Sequence, residues 1–138
     1  MPQPTRRNFL RQLSRGTAVA TLGAFAAPAI QARGANERFT VGSIGCSDRG
    51  IAIGEALRKL GVRIAYACDP DQRRAENAKK RLEADQAVAD LRRILDDRTV
   101  DAVAIAAPNH WHAPAAILAC QAGKHVYVEK PCSHNIAE

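Results

Sequence analysis

Short apolar segments alternate with amphipathic ones along the chain from residue 39 onward. Five segments are almost continuously apolar, which predicts strands buried on both faces. We expect these strands at 39–44, 62–68, 87–89, 102–107 and 126–128. Between them apolar residues recur at helical spacing, which predicts helices over 51–60, 71–84, 90–95 and 112–122. Strands that alternate with helices predict an α/β fold with a doubly wound parallel sheet.

Glycine, proline and aspartate residues mark the ends of these elements. Gly61 and Gly123 each follow a predicted helix, the position at which glycine commonly ends one. Pro70 is placed to open the second helix, and Asp90 is placed to cap the third. Residues 133–138 look like a capped helix start with no helix after it. We therefore expect the front part of a longer protein, with its sheet incomplete.

The first 32 residues have the features of an export signal. A twin-arginine pattern over Thr5–Arg11 precedes an uncharged, alanine-rich run from Gly16 to Ile30. At about 15 residues this run is shorter than the roughly 20 that a spanning helix needs, and Ala27–Ala29 offers a small-x-small cleavage site. We interpret 1–32 as a Tat signal peptide. It predicts export to the periplasm by the Tat machinery, without stable membrane insertion. The alternative is an amphipathic N-terminal helix or an uncleaved anchor.

Charge and composition argue against nucleic acid as a partner. The net charge is +6, but four of the 20 basic residues and none of the 14 acidic ones lie in the leader, so the rest carries +2. Three Phe, two Tyr and one Trp are too few to suggest stacking platforms for single strands. The four cysteines match no zinc spacing. We expect them to be free thiols, buried or half-buried, with Cys132 lining a site.

A glycine-rich turn follows the first predicted strand. The sequence G-C-S-D-R-G begins at Gly45 and is close to the G-x-G-x-x-G of dinucleotide-binding turns, with Ser47 in place of the middle glycine. Gly45 would allow the tight turn, and Gly50 would allow close packing of the helix. Backbone N–H groups around Ser47, Asp48 and Arg49 would then face a pyrophosphate at the helix N-terminus. The alternative is an ordinary strand-to-helix turn.

An acidic residue, Asp69, lies 24 residues after Gly45 at the end of the second predicted strand. A carboxylate there can accept both hydroxyls of the adenosine ribose, and it would repel the 2′-phosphate of NADP. This position therefore favours NAD. Arg73 and Arg74 are near enough in sequence to leave NADP open. In the alternative role, Asp69 only caps the next helix.

The sequence P-N-H-W-H follows the fourth predicted strand. Because the carboxyl ends of parallel strands share one edge of the sheet, we expect this loop to lie near the glycine turn. The residues expected to contact cofactor or substrate are Pro108, Asn109, Trp111 and His112. Its two histidines stand at i and i+2, but no third ligand is near in sequence, so no metal site is predicted. The alternative is that Asn109 caps the following helix.

The segment Glu129-Lys130-Pro131 ends the fifth predicted strand at the same edge. Lys130 can donate to a substrate hydroxyl or carbonyl and favour the charge that develops during hydride transfer. Glu129 can hold neighbouring backbone or a ribose hydroxyl. Pro131 stiffens the turn, and its peptide bond is a candidate for the cis form. The alternative is an exposed lysine beside a turn.

Taken in order, these segments resemble the Gfo/Idh/MocA oxidoreductase family from about residue 39 to the end. The segments that carry the resemblance are Val41–Cys46, Cys68–Pro70, Pro108–His112 and Ala122–Pro131. The resemblance implies a Rossmann domain, here over 38–138, followed by a second α/β domain that this chain lacks. It implies hydride transfer between NAD(P) and a sugar, cyclitol or related polyol, with Lys130 as the catalytic lysine beside the nicotinamide. It leaves a homo-oligomer open.

Two departures from the family pattern bear on activity. Ser47 replaces the usual glycine or alanine of the turn. The second domain, which supplies the catalytic histidine in the family, has no counterpart here, so we expect little or no turnover from the 138-residue chain alone. Two other interpretations stay open: an NAD-dependent glycoside hydrolase of the same superfamily, and a truncated, non-catalytic product.

Overall fold

A five-stranded parallel sheet forms the centre of the protein. The computed structural model describes residues 38–135, so the predicted signal peptide at 1–32 lies outside the described residues. The strands are β1 Thr40–Ile44, β2 Arg63–Cys68, β3 Gln86–Val88, β4 Ala102–Ile105 and β5 His125–Val128. The helices are α1 Asp48–Lys59, α2 Gln72–Leu82, α3 Arg92–Asp96 and α4 His112–Gln121. A short 3-10 turn, Asn109–Trp111, leads directly into α4.

The strand order is β3-β2-β1-β4-β5, and every neighbouring pair is parallel. The order reverses between β1 and β4, so the chain moves outward from the centre in both directions. This topology confirms the predicted doubly wound α/β sheet of the Rossmann type. In such sheets the crevice at the carboxyl ends of the two central strands is the usual ligand position.

The sheet separates two hydrophobic cores. One core packs Val41 and Ile64 of the sheet against Ile51 of α1 and Leu82 of α2. The other packs the opposite face of the sheet against Ile94 of α3 and against the alanines of α4. Both sheet faces are therefore covered, which explains why β1, β2 and β4 are apolar almost throughout.

The largest difference from the predicted boundaries is at the first helix. The apolar spacing predicted a start at residue 51, but α1 begins at Asp48, so half of the glycine-rich segment is helical. The difference arises because the helix begins with the polar, exposed Asp48 and Arg49, followed by a glycine, and these residues carry no apolar periodicity. The strand predicted over 102–107 ends at Ile105, since Ala106 and Ala107 already belong to the loop.

The cysteine prediction was half right. Cys46 and Cys68 are buried free thiols, and burial is the main cause that raises the pKa of each to about 12. Cys120 and Cys132 are free but exposed, which corrects the expectation that all four would be at least half-buried. Cys120 lies on α4 beside the buried Ala119, so helical geometry turns it toward solvent. Within residues 38–135, no helix is long and apolar enough to cross a membrane.

Candidate functional site

The glycine turn brings the ends of β1, β4 and α1 into close contact. Gly45 has a φ of +89°, and a Cβ there would lie 2.6 Å from the backbone of Ala106. A Cβ on Gly50 would lie 1.9 Å from the carbonyl oxygen of Gly45. Both glycines are therefore required by close backbone approach, as the sequence predicted.

The N-terminus of α1 follows the glycine turn and is exposed to solvent. Ser47 occupies the N-cap position with extended backbone, and its hydroxyl makes no capping hydrogen bond. Ser47, Asp48 and Arg49 are exposed, whereas the flanking Cys46 and Gly50 are buried. The first N–H groups of a helix lack acceptors within it, and the helix dipole favours an anion beside them. The turn therefore fits a pyrophosphate group.

Asp69 ties the glycine turn to the loop after β2. It is 8% exposed; its Oδ2 accepts from the Cys46 N–H at 2.9 Å, and its Oδ1 accepts from the Asp71 N–H at 2.9 Å. Capping of α2 falls to Asp71, which accepts from the Arg73 N–H. That hydrogen bond is the main cause that lowers the pKa of Asp71. Each carboxylate oxygen of Asp69 has a second lone pair that can accept another hydrogen bond. A ribose hydroxyl can therefore still donate to Asp69, and this contact stays a prediction.

A cavity of about 410 Å³ opens at the same edge of the sheet. It lies between the ends of β1, β2 and β4 on one side and the loop after β3 on the other. Its lining residues include Gly45, Cys68, Ala107, Leu91, Trp111 and Leu118. A mostly apolar crevice of this size beside the glycine turn has the dimensions of a small-molecule site and could hold the adenosine end of a dinucleotide.

Sequence reasoning missed part of this lining, namely Leu91 and Arg92 after β3 and Leu118 on α4. The first two could have been found, because they follow the carboxyl end of a predicted strand as Asp69 does. Leu118 could not, because apolar residues recur on nearly every side of its helix.

Of the four site residues predicted after β4, three are exposed and one is buried. Pro108, Asn109 and Trp111 are exposed, and Trp111 lines the cavity. His112 is only 2% exposed, and both of its ring nitrogens lie at hydrogen-bonding distance from backbone carbonyl oxygens. The predicted direct cofactor contact therefore stays open for the three exposed residues, whereas the polar atoms of His112 face protein. The Asn109 side chain makes no capping hydrogen bond to α4, whose N-cap position belongs to Trp111.

The segment Glu129–Pro131 lies at the carboxyl end of β5, and an ion pair joins it to the glycine turn. The Arg49 guanidinium donates to a Glu129 carboxylate oxygen, and the other carboxylate oxygen accepts from the Lys130 N–H at 3.0 Å. Arg49 is the main cause that lowers the pKa of Glu129, and the Lys130 N–H adds to it. Lys130 itself is exposed. The Lys130–Pro131 peptide bond is cis, a form that the sequence left open.

The predicted site residues lie together at one edge of the sheet. The glycine turn, Asp69, the loop after β4 and Lys130 each follow the carboxyl end of β1, β2, β4 or β5. Within residues 38–135, no three His, Cys, Asp or Glu side chains cluster in a way that could hold a metal ion.

Comparison with known proteins identifies the family of this chain. The family model of the Gfo/Idh/MocA oxidoreductases, described as an oxidoreductase family with an NAD-binding Rossmann fold, matches residues 39–138. Myo-inositol 2-dehydrogenase of Thermotoga maritima is 32% identical over 99 residues, covering 71% of this chain and 30% of that protein. Glycosyl hydrolase family 109 protein 2 of Shewanella sp. (strain ANA-3) is 33% identical over an alignment of 162 residues, covering 96% and 35%.

A solved structure extends the comparison to bound ligands. Myo-inositol dehydrogenase of Lactobacillus casei, in complex with NAD(H) and myo-inositol, superposes with a TM-score of 0.65 at 26% identity, covering 70% of this chain and 30% of that one. The chain thus spans about a third of the length of the curated relatives it matches. It belongs to the Gfo/Idh/MocA oxidoreductase family and contains the NAD-binding Rossmann domain of that family.

Proposed function

We propose that this domain is the cofactor-binding part of an exported oxidoreductase that transfers hydride between NAD and a sugar, cyclitol or related polyol. One observation carries the proposal: the glycine turn and the Lys130 segment lie at one sheet edge, and the Arg49–Glu129 ion pair joins them. This arrangement supports the proposal that one bound dinucleotide contacts both the glycine turn and the candidate catalytic lysine.

Each residue has a distinct role in this proposal. The N-terminus of α1 binds the pyrophosphate, and Asp69 accepts from the adenosine ribose and disfavours a 2′-phosphate. When bound, NAD supplies the hydride acceptor. Lys130 donates to the substrate oxygen and stabilises the charge that develops there. Because Lys130 is exposed, substrate reaches it from the open side of the sheet edge.

The test has two parts. Calorimetric titration of the 138-residue chain should show NAD binding, with NADP bound more weakly; absence of NAD binding would overturn the cofactor role. In the whole protein that carries this domain, Lys130→Ala should lower kcat far more than it lowers NAD affinity. An unchanged kcat would reject Lys130 as the catalytic lysine.

A second candidate function is NAD-dependent glycoside hydrolysis. It is favoured by the similarity to a glycosyl hydrolase family 109 protein over 96% of this chain. Both reactions need the same cofactor edge, so the whole protein's products decide between them. Net NADH formed with a polyol supports the dehydrogenase. Release of free aglycone without net NADH supports the glycosidase.

Export is proposed from the twin-arginine pattern over Thr5–Arg11. A reporter fused to residues 1–32 should reach the periplasm, and the paired change Arg6→Lys and Arg7→Lys should retain it in the cytoplasm. Export that survives the paired change would argue against the Tat route.

A further inference from the structure

His112 connects two loops that belong to different strands. Its Nδ1 lies 2.6 Å from the carbonyl oxygen of Pro131, and its Nε2 lies 2.7 Å from the carbonyl oxygen of Ala107. The side chain is among the largest that the described residues bury completely. Buried polar groups are nearly always hydrogen-bonded, and here backbone oxygens occupy both sides of the ring.

The two carbonyl groups belong to loops that follow two neighbouring strands. Ala107 follows β4, and Pro131 comes directly after Lys130 beyond β5. The ladder between these neighbouring strands ends with the Glu129 N–H donating to the Ile105 carbonyl at 2.9 Å. Beyond that bond, His112 is the side chain that spans the two loops, 5 residues after Ala107 and 19 residues before Pro131.

The chemistry of the ring suits such a connection. Carbonyl oxygens only accept, so the contacts need N–H donors on the histidine. A ring that carries a proton on each nitrogen donates to both carbonyls, whereas either neutral tautomer donates to one. The imidazole plane also fixes the direction of both bonds, which a flexible side chain would not do.

We propose that His112 is a positioning residue for Lys130: by holding the Pro131 carbonyl against the loop after β4, it sets where the lysine stands relative to the nicotinamide. The proposal rests on the function proposed above. His112 touches neither cofactor nor substrate in this role and acts only through the backbone next to Lys130.

The test compares NAD with ADP-ribose, which lacks the nicotinamide, by titration of the 138-residue chain. In His112→Gln we expect ADP-ribose affinity to stay within about twofold, while the ratio of NAD to ADP-ribose affinity falls by about tenfold, because misplacing a contacting group by about 1 Å is costly. Lys130→Ala should lower the same ratio. The double variant should lower it no further than either single change, since both act on one interaction.

His125→Gln is the matched control, because His125 is exposed at the other end of β5 and should leave the ratio unchanged. If the wild-type chain binds neither ligand, the proposed function fails as well. If it binds both with equal affinity, or if His112→Gln keeps the ratio, only the positioning role fails. An equal fall in the ratio of NAD to ADP-ribose affinity in His125→Gln would also overturn the positioning role.

A measurement on the wild-type chain covers the case in which His112→Gln does not fold. Nitrogen-15 NMR of the histidine side chains should show the Nδ1 of His112 as an N–H donor in a hydrogen bond, and Lys130→Ala should leave this signal unchanged. A free lone pair on Nδ1, the nitrogen that faces the Pro131 carbonyl, would overturn the connection between the two loops.

Discussion

Arg49 in the first turn of α1 forms an ion pair with Glu129 just beyond β5, joining two parts of the site that are 80 residues apart in the chain. The pair is solvent-exposed on the arginine side, so its contribution to folding is small. Its importance is geometric. It connects the glycine turn to the segment that carries Lys130.

Removing the arginine should change the titration of its partner. In Arg49→Met the pKa of Glu129 should rise toward its usual range, because the hydrogen bond from Arg49 is the main cause of the lowered value. The folded-state pKa is the lowered one, so the pair's contribution to stability is present above the usual carboxyl range and is lost as pH falls through the lowered value. Carbon-13 NMR of the Glu129 carboxyl measures the midpoint. Arg81→Met, which removes an ion pair with Glu55 between α2 and α1, should leave that midpoint unchanged.

The second glycine of the turn should not tolerate a side chain. In Gly50→Ala the new methyl group would lie 1.9 Å from the Gly45 carbonyl oxygen, so α1 must move away from β1. We expect a loss of about 1–3 kcal/mol in the free energy of unfolding, typical of overpacking, and loss of measurable NAD binding.

Gly61→Ala is the control for that change. Its φ of +84° makes alanine strained, but no atom lies within 4 Å of the new Cβ. It should cost about 1–2 kcal/mol of stability and leave NAD affinity intact. NAD binding that survives in Gly50→Ala would show that the turn can relax without losing its function.

Neutralising Asp69 should affect both folding and cofactor choice. In Asp69→Asn one backbone N–H, of Cys46 or Asp71, faces an amide NH₂ instead of an oxygen, which should lower the free energy of unfolding by about 1–3 kcal/mol. If Asp69 also contacts the ribose, NAD affinity should fall more than NADP affinity. Chemical denaturation measures the first effect and calorimetry the second. An equal loss for both cofactors would leave Asp69 with its structural role alone.

The thiols should differ sharply in reactivity. Burial and the raised pKa of about 12 keep Cys46 and Cys68 protonated at pH 8, so iodoacetamide should spare them in the folded protein. Exposed Cys120 and Cys132 should be alkylated. Mass spectrometry after brief labelling should therefore find two modified cysteines, and four after denaturation. Rapid modification of Cys46 would contradict the burial of the glycine turn.

Much of the fold was readable from local pattern because each strand is buried on both faces and therefore continuously apolar. The same reasoning predicted that Gly45, Asp69 and Lys130 share one sheet edge, since each follows a strand end, and the structure confirms that placement. Strand order was not readable, because apolar content does not say which strand lies beside which. Nor was the start of α1, because the exposed, polar Asp48 and Arg49 carry no apolar periodicity.

The role of His112 was beyond sequence reasoning for a different reason. Its spacing placed it shortly after β4, where it begins α4, but spacing does not say whether a ring faces the cavity or the interior. Its partners are main-chain atoms, which leave no trace in the identity of Ala107 or Pro131. The Arg49–Glu129 pair was hidden in the same way, because 80 residues separate its members.

Asp69 and His112 share a feature with an evolutionary consequence. Both hold the site through main-chain N–H or carbonyl groups, so the side chains of Cys46, Asp71 and Ala107 do not take part in those bonds. Substitutions at these three positions therefore keep the bonds as long as the backbone path is kept. Among homologues, we expect the aspartate and the histidine to vary less than Ala107, whereas burial limits change at Cys46 and helix capping limits change at Asp71.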